Sequence, residues 1–286
     1  MVKPTSFDFV LETLVDLEAY PLLAPNSLDY ASAVKSAQAG LNNDGCARIE
    51  GFIRAEQLEQ LREESMRLAP NVQVKQSRFT PYISVDESFP DCHPRRRIQD
   101  ATNGFVTRDL IPESALIQKL YGAPAFKRFL ADCFDKPVLH EFADPMRGLV
   151  VNVMPEDTTL PWHFDTNEFI VSLMTVKPDS GGLFEYCPGI RAPGSENYDD
   201  VRAVLDGWQD PVKTLELDVG DLQLFMGRYA LHRVCEGKGE RHTAIFGYSE
   251  DAGYIGTADS TRQAYGRCMQ AHIDADQNRL VDGLAG

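Results

Sequence analysis

The chain lacks the features that mark membrane and secreted proteins. Its longest apolar runs are short, such as 148–154, and none approaches the roughly 20 residues that span a bilayer. The N-terminal residues 1–8 lack the apolar core of a secretory signal. We therefore expect a cytoplasmic protein without membrane contact.

Basic residues are also scarce, since 28 Lys and Arg stand against 43 Asp and Glu, a net charge of −15. Nonspecific binding to nucleic acid needs a basic surface, so no nucleic-acid partner is expected. The acidic balance does not exclude a small anionic ligand, because one buried arginine can hold a carboxylate inside an acidic protein.

The six cysteines form no Cys-x-x-Cys pair. A structural zinc site or a redox motif is therefore not expected, and without a secretory signal free thiols are predicted. Cys235 follows His232 by three residues and is interpreted as a small buried residue rather than a ligand.

The first half of the chain predicts helices around one short strand. Residues 28–42 have helical periodicity, starting at Ser27 and ending at 43–45, and residues 46–49 resemble a strand. Helical spacing returns at 55–68, with Leu58, Leu61 and Met66 on one side, and again at 113–134. Residues 72–112 are interpreted as irregular and polar.

The second half has a β pattern. Short apolar runs separated by glycine-rich turns predict strands at 149–154, 169–176, 183–186, 214–217, 222–225 and 243–248. One helix is expected near 198–205 and a helical tail after residue 258. The predicted fold class is mainly β with helices (α+β): a double-stranded β-helix, or jelly roll, buttressed by N-terminal helices. We expect a single domain over 1–286, with a helical buttress and substrate loops at 1–137, the jelly-roll core at 138–250 and a tail at 251–286.

Four residues narrow the chemistry more than any other feature. His163 and Asp165 are two apart, His232 follows 67 positions after Asp165, and Arg241 lies nine beyond His232. Two histidines and one carboxylate are the protein ligands of a facial non-haem Fe(II) site, which leaves the opposite face open. An arginine one strand further is suitably placed to hold an acidic cosubstrate.

Residues 162–250 resemble the Fe(II)/2-oxoglutarate-dependent oxygenase superfamily, whose pattern is His-x-Asp, a distal His, and then Arg-x-Ser or Arg-x-Thr. The resemblance implies that His163, Asp165 and His232 bind Fe(II) and that O2 is consumed. It also implies that Arg241 pairs with the distal carboxylate of 2-oxoglutarate, with a hydrogen bond from Thr243. A planar guanidinium matches a carboxylate in bidentate fashion.

A closer resemblance covers most of the chain and points to the subfamily of free amino acid hydroxylases and halogenases, such as the lysine halogenases. It rests on segments that include 93–97, 143–145, 152–154, 162–165, 182–186, 220–225, 227–234 and 261–267. The halogenases carry Gly where this chain has Asp165, and the missing carboxylate opens a position for chloride. The resemblance therefore implies hydroxylation of a small amine-bearing substrate, while desaturation or cyclisation by the same cofactors stays open.

Substrate contacts are predicted from polar residues near the ligands and from the chemistry of a zwitterion. Asn152, Thr166 and Asn167 are polar neighbours of the ligands in the sequence. Asp144 would bind an ammonium group and Arg78 a carboxylate. The sequence leaves open the substrate, the carbon that is oxidised and the oligomeric state. A nucleotide-sized substrate and a homodimer are among the possibilities.

Two other functions remain as alternatives. A cupin-type metal enzyme would use the same ligands without 2-oxoglutarate, and Arg241 with Thr243 argues against it. A β-sandwich binding or sensor protein with a vestigial metal site is the non-enzyme alternative, but all three ligands are intact.

Overall fold

Two antiparallel β-sheets organise the molecule. The structure is a computed structural model that describes residues 6–83 and 85–278. Its strands are β1 (Cys46–Ile49), β2 (Gln73–Phe79), β3 (Gln99–Thr107), β4 (His140–Glu141), β5 (Leu149–Met154), β6 (Leu160–His163), β7 (Ile170–Val176), β8 (Ser180–Gly181), β9 (Phe184–Cys187), β10 (Lys213–Leu215), β11 (Leu222–Phe225), β12 (Leu231–Val234), β13 (Gly237–Lys238), β14 (Arg241–Phe246) and β15 (Tyr248–Ser249). The larger sheet has seven strands in the order β1-β11-β7-β14-β5-β3-β2, and the smaller has four in the order β10-β9-β12-β6.

The two sheets share an apolar core. It joins Cys46, Met154 and Phe225 of the larger sheet to Phe184 and Tyr186 of the smaller one. This arrangement of two facing antiparallel sheets is that of a jelly roll. The predicted fold class is confirmed.

Helices flank both sheets. They are α1 (Ser6–Leu14), α2 (Leu28–Asp44), α3 (Leu58–Leu68), α4 (Leu116–Gly122), α5 (Pro124–Cys133), α6 (Tyr198–Leu205), α7 (Ala258–Tyr265) and α8 (Gln270–Asn278). Helix α2 packs on β1 and β11, and α3 packs on β7. Local signals set the ends of α2: the Ser27 side chain accepts from the Tyr30 amide, and Gly45 ends the helix in the left-handed region. Both ends are as predicted.

The buried stripe of α3 differs from the prediction. Leu61, Ser65 and Leu68 are buried, whereas Met66 is 38% exposed. Positions 61, 65 and 68 repeat at the i, i+4, i+7 spacing of one helix face, and position 66 falls outside it. The prediction grouped apolar residues and overlooked a small polar residue that the sheet buries.

The prediction that residues 72–112 are irregular was wrong. Strands β2 and β3 pair over seven residues, and β3 pairs with β5 inside the larger sheet. Strand β2 lies at the sheet edge, where polar side chains are tolerated and the apolar alternation fades. The larger sheet therefore takes β1, β2 and β3 from before residue 138, so its strands are not confined to 138–250.

Most of the remaining elements lie near their predicted positions, although 113–134 forms two helices separated at Ala123, and the strand predicted at 243–248 runs from Arg241 to Phe246. The predicted strand at 222–225 and helix at 198–205 have the predicted bounds, and the tail forms α7 and α8. Residues 279–286 of the predicted tail, and residues 1–5, lie outside the described part, so the single domain over 1–286 stays a prediction. Within the described ranges, no helix is long and apolar enough to cross a bilayer.

Candidate metal centre and cosubstrate site

Strand pairing in the smaller sheet brings the two histidines together. His163 ends β6 and His232 lies in β12, and the two residues are direct partners across the antiparallel pair. Their ring centroids are 4.1 Å apart. Asp165 lies two residues beyond the end of β6, so it reaches the histidines from a loop and not from a regular strand as the spacing predicted.

The three side chains form one donor group. One ligand atom from each of His163, Asp165 and His232 lies within 4.8 Å of the others, and no second group of this kind occurs in residues 6–83 and 85–278. His163 Nε2 is 3.9 Å from Asp165 Oδ1, and His232 Nε2 is 3.4 Å from Asp165 Oδ2. Two nitrogens and a carboxylate converging on one point could hold an iron ion with open positions.

Backbone carbonyls orient both imidazole rings. His163 Nδ1 is 2.8 Å from the Pro161 carbonyl, and His232 Nδ1 is 2.9 Å from the Ala230 carbonyl. A carbonyl oxygen only accepts, so each Nδ1 carries the proton and donates. Each Nε2 then directs its lone pair to the point where the three ligand atoms converge. This is the tautomer that a histidine needs in order to bind a metal.

Burial keeps His163 neutral. Desolvation, and then the neighbouring His232, lower its pKa to about 4, although Asp165 opposes the shift. The imidazole is therefore available as a ligand at neutral pH without losing a proton.

The lowered pKa of His163 predicts a pH dependence for the metal-free protein. The unfolded chain protonates this imidazole near pH 6.5 and the folded chain only near pH 4. The contribution of His163 to the free energy of unfolding should thus be constant above about pH 6.5 and should fall by about 3 kcal/mol as the pH drops to about 4. Urea unfolding in the presence of a chelator measures the slope. His163→Asn should remove this component, and an unchanged slope would contradict the assignment.

Arg241 is a buried cation that has no counter-ion among the residues the structure describes. It begins β14, is 6% exposed, and donates from Nη1 to Thr243 Oγ1 at 2.7 Å. Its Nε has no hydrogen-bond partner, and among the described residues no carboxylate lies within ion-pair distance of it. Burial lowers its pKa to about 10. A guanidinium kept in the interior with an unused donor fits an anionic ligand.

Strand alternation shows which way Arg241 and Thr243 face. His242 between them points to α3, where its Nδ1 lies 3.1 Å from Ser65 Oγ. Arg241 and Thr243 therefore face the opposite side of the sheet, toward the space between the two sheets. Asn152 of β5 is the direct strand partner of Thr243.

The polar residues predicted near the ligands have different surroundings. Asn152 is buried, and its amide donates to the Gly104 carbonyl at 3.1 Å and to the Asn103 side chain. Thr166 is exposed and Asn167 is half-buried, both in the loop that follows Asp165. Both side chains therefore have solvent-accessible surface close in sequence to the Asp165 ligand.

Arg78 does not point toward the donor group. Its neighbour in β2, Phe79, faces the His163 ring with centroids 6.2 Å apart. Alternation along the strand turns Arg78 to the other face, where it is exposed and pairs with Asp100 at 3.1 Å. Phe79 is a site neighbour that sequence analysis missed, because β2 is mostly polar and its alternation becomes apparent only when it pairs with β3.

Asp144 has a structural role, because its carboxylate is occupied by partners inside the protein. The carboxylate is fully buried and accepts from the amides of Met146, Arg147 and Gly256, and His272 Nε2 lies 3.2 Å away. These partners join the loop before β5 to the C-terminal helices. With no exposed surface, Asp144 has no access to a substrate ammonium group, so the structure gives the predicted contact no support.

We predict that Asp144→Ala acts on stability and not on substrate binding. Removing a buried carboxylate that satisfies three amides and faces His272 should lower the free energy of unfolding by about 3–5 kcal/mol. Asp100→Ala, at an exposed carboxylate, is the control and should change it by less than about 0.5 kcal/mol. Thermal unfolding and the KM for substrate check this, and a raised KM in a fully stable Asp144→Ala protein would contradict it.

Comparisons with known proteins agree with this geometry. The family model described as Halogenase D matches residues 30–271. A 2OG-Fe(II) oxygenase family oxidoreductase from Burkholderia pseudomallei is 18% identical, with a TM-score of 0.51 over 77% of this chain and 92% of that one. AviO1 from Streptomyces viridochromogenes Tue57 is 17% identical, with a TM-score of 0.51 over 80% and 98%. No curated protein matches the chain.

A third solved structure, the non-heme alpha ketoglutarate dependent epimerase SnoN from nogalamycin biosynthesis, is 14% identical, with a TM-score of 0.52 over 77% of this chain and 83% of that one. At these identities the solved structures support the fold, whereas the family model covers most of the sequence. The predicted superfamily and enzyme class are confirmed, and the free amino acid substrate stays a prediction. The chain belongs to the Halogenase D family, and its fold is that of the 2OG-Fe(II) oxygenase structures compared with it.

Proposed function

We propose that this enzyme hydroxylates an unactivated C–H bond of a small free amino acid or a similar amine-bearing metabolite, with release of succinate and CO2. The observation that carries the hydroxylation is the retained carboxylate of Asp165, whose two oxygens lie 3.9 Å and 3.4 Å from the Nε2 atoms of His163 and His232. The choice of a free amino acid rests on the resemblance of segments such as 162–165 and 227–234 to the amino acid hydroxylases and halogenases.

The donor set fits Fe(II). In the proposal, His163, Asp165 and His232 hold the ion, with both imidazoles fixed in the tautomer that presents Nε2. When bound, iron would supply the activation of O2, which is the oxidant and takes two electrons from 2-oxoglutarate and two from the substrate C–H bond. The protein supplies position, charge and exclusion of water.

Arg241 suits the distal carboxylate of 2-oxoglutarate. The guanidinium is buried, no carboxylate of the described part of the chain pairs with it, and its Nε is unused. Binding an acid there would neutralise the charge, and Thr243 Oγ1 would fix the fork from one side. A cupin-type enzyme without 2-oxoglutarate would leave this buried cation without a purpose, so the structure favours the oxygenase.

Asp165 also argues for hydroxylation over halogenation. The related halogenases have Gly at this position, which leaves a place for chloride beside two histidines. Here a carboxylate fills that direction, so chloride has no equivalent position.

Three aromatic rings surround the two histidines. Their centroids lie 4.9 to 6.2 Å from the ring of His163 or His232, and they belong to Phe79, Phe184 and Phe225. These rings make the surroundings of both imidazoles apolar.

Thr166 and Asn167 are the substrate contacts that we retain from the sequence. They follow Asp165 directly in a loop and are not buried. Asn152 is assigned to the wall beside Thr243, because its amide is engaged by β3. Arg78 and Asp144 are not retained.

The test is an anaerobic titration with Fe(II) and 2-oxoglutarate, followed by the weak visible charge-transfer band of a chelated keto-acid. We expect the band in the wild-type protein and its loss in His163→Ala. An amino acid panel, scored by succinate release and by the mass change of one added oxygen atom, then identifies the substrate. Iron binding without a band would refute 2-oxoglutarate use, and a loss of two hydrogens would indicate desaturation or cyclisation.

A further inference from the structure

The turn that precedes β12 lies against the carboxylate ligand. A Cβ atom built on Gly227 would fall 1.9 Å from Asp165 Oδ2, 2.8 Å from its Cγ and 3.0 Å from its Cβ. Contacts below 3.0 Å do not occur between real atoms of this kind, so an alanine at 227 would require Asp165 to move. The obstruction involves the whole side chain and not only its mobile tip.

Backbone and side-chain hydrogen bonds hold the two segments together. The Asp165 amide donates to the Gly227 carbonyl at 3.1 Å, and Arg228 Nη1 donates to the Thr166 carbonyl at 3.0 Å. On the other side, the Met226 amide donates to the Gly45 carbonyl at 2.8 Å. The turn is thus held between β1 and the ligand loop, and the least costly response to a larger residue is rotation of Asp165 away from the histidines.

Backbone conformation does not explain the glycine. Gly227 is absent from the glycines with positive φ, which include Gly220 and Gly239. An alanine could adopt the Gly227 backbone without strain, so the restriction is steric and comes from Asp165.

We propose that Gly227 is a positioning residue for the Asp165 ligand: its missing side chain makes the space in which the carboxylate can turn toward both histidines. The inference rests on the proposed role of Asp165 as an iron ligand. It implies that the identities of residues 165 and 227 are coupled. A side chain at 227 is excluded only while position 165 carries the carboxylate.

A double-mutant cycle tests the coupling. Gly227→Ala, Asp165→Gly and the double variant are compared with the wild type for the dissociation constant of Fe(II) by anaerobic calorimetry, at saturating 2-oxoglutarate and with chloride present. The visible charge-transfer band and the thermal unfolding of the metal-free proteins are measured in parallel. Gly253→Ala is the matched control, because its added Cβ would make only an ordinary contact at 3.4 Å and its φ is not positive.

We expect Gly227→Ala to weaken Fe(II) binding by about 10- to 100-fold and to shift the visible band in the Asp165 background. In the Asp165→Gly background the same substitution should change affinity by no more than about twofold. Equal losses in both backgrounds would overturn the proposal, as would wild-type iron binding and an unshifted band in Gly227→Ala.

Folding is separated from positioning by the double variant. If Gly227→Ala fails to fold, the proposal requires that Asp165→Gly/Gly227→Ala folds, since the obstructing side chain is then gone. A double variant that also fails to fold would show a purely structural role for Gly227 and would overturn the proposal. Failure of the proposed function is distinct, because the wild-type protein itself would then show no charge-transfer band.

Discussion

Replacement of Arg241 by methionine should weaken 2-oxoglutarate binding by roughly 100-fold or more, because it removes one partner of a buried charged pair. The same substitution should stabilise the protein without ligands. Arg241 is a buried cation with an unused Nε and no carboxylate within ion-pair distance in residues 6–83 and 85–278, and burial lowers its pKa to about 10. An apolar side chain of similar length removes that cost, so the free energy of unfolding should rise by about 1–2 kcal/mol. Calorimetric titration with 2-oxoglutarate and thermal unfolding measure the two effects.

Two further variants sharpen the Arg241 prediction. Arg241→Lys keeps the charge but loses the planar fork, so its affinity should lie between those of wild type and Arg241→Met. Arg67→Met removes an exposed arginine that pairs with Glu63 on α3 and should change neither quantity. If Arg241→Met bound 2-oxoglutarate as tightly as wild type, the assignment of this arginine would be wrong.

Replacement of Asp165 by glycine should abolish hydroxylation. The loss should exceed the roughly 100-fold that removal of an outer-shell partner costs a metal site, because a direct ligand is removed. His163 and His232 should stay in place, since the Pro161 and Ala230 carbonyls orient their rings independently of Asp165. Some iron binding should therefore survive, and the visible band should become sensitive to chloride, which does not affect the wild-type band. Product analysis and anaerobic titrations with and without chloride check this.

The matched control for Asp165→Gly is Glu168→Gln. This carboxylate lies three residues further along the same loop, but it pairs with Lys136 at 3.3 Å and not with the histidines. Glu168→Gln should retain hydroxylation, iron binding and the wild-type band. A fully active Asp165→Gly enzyme would remove Asp165 from the site.

Local signals account for much of the successful prediction. Ser27 and Gly45 bound α2 because a side-chain oxygen and a left-handed glycine satisfy the free backbone groups at helix ends. The strand at 222–225 follows from a short apolar run after a glycine turn. Such interactions join residues that are close together in the chain, so they can be predicted directly from the sequence.

Strand β2 shows where local signals fail. Its residues are mostly polar, and only its pairing with β3 shows that it is a strand. The same pairing decides that Phe79 faces His163 while Arg78 faces solvent. A polar edge strand obtains its stability from a partner distant in sequence, which single-sequence patterns do not record.

The sequence by itself determined the chemistry of the metal ligands and of the cation, because their donor atoms are intrinsic to the residue types at 163, 165, 232 and 241. It also determined the fold class, because the alternation of apolar residues is a local pattern. Tertiary structure alone decided which polar residues are free to act. The carboxylate of Asp144 is occupied by hydrogen bonds from three amides and by the nearby His272. Gly227 is required only because the Asp165 side chain packs against it. Both outcomes depend on burial and on contacts between distant segments, which exist only once the chain has packed.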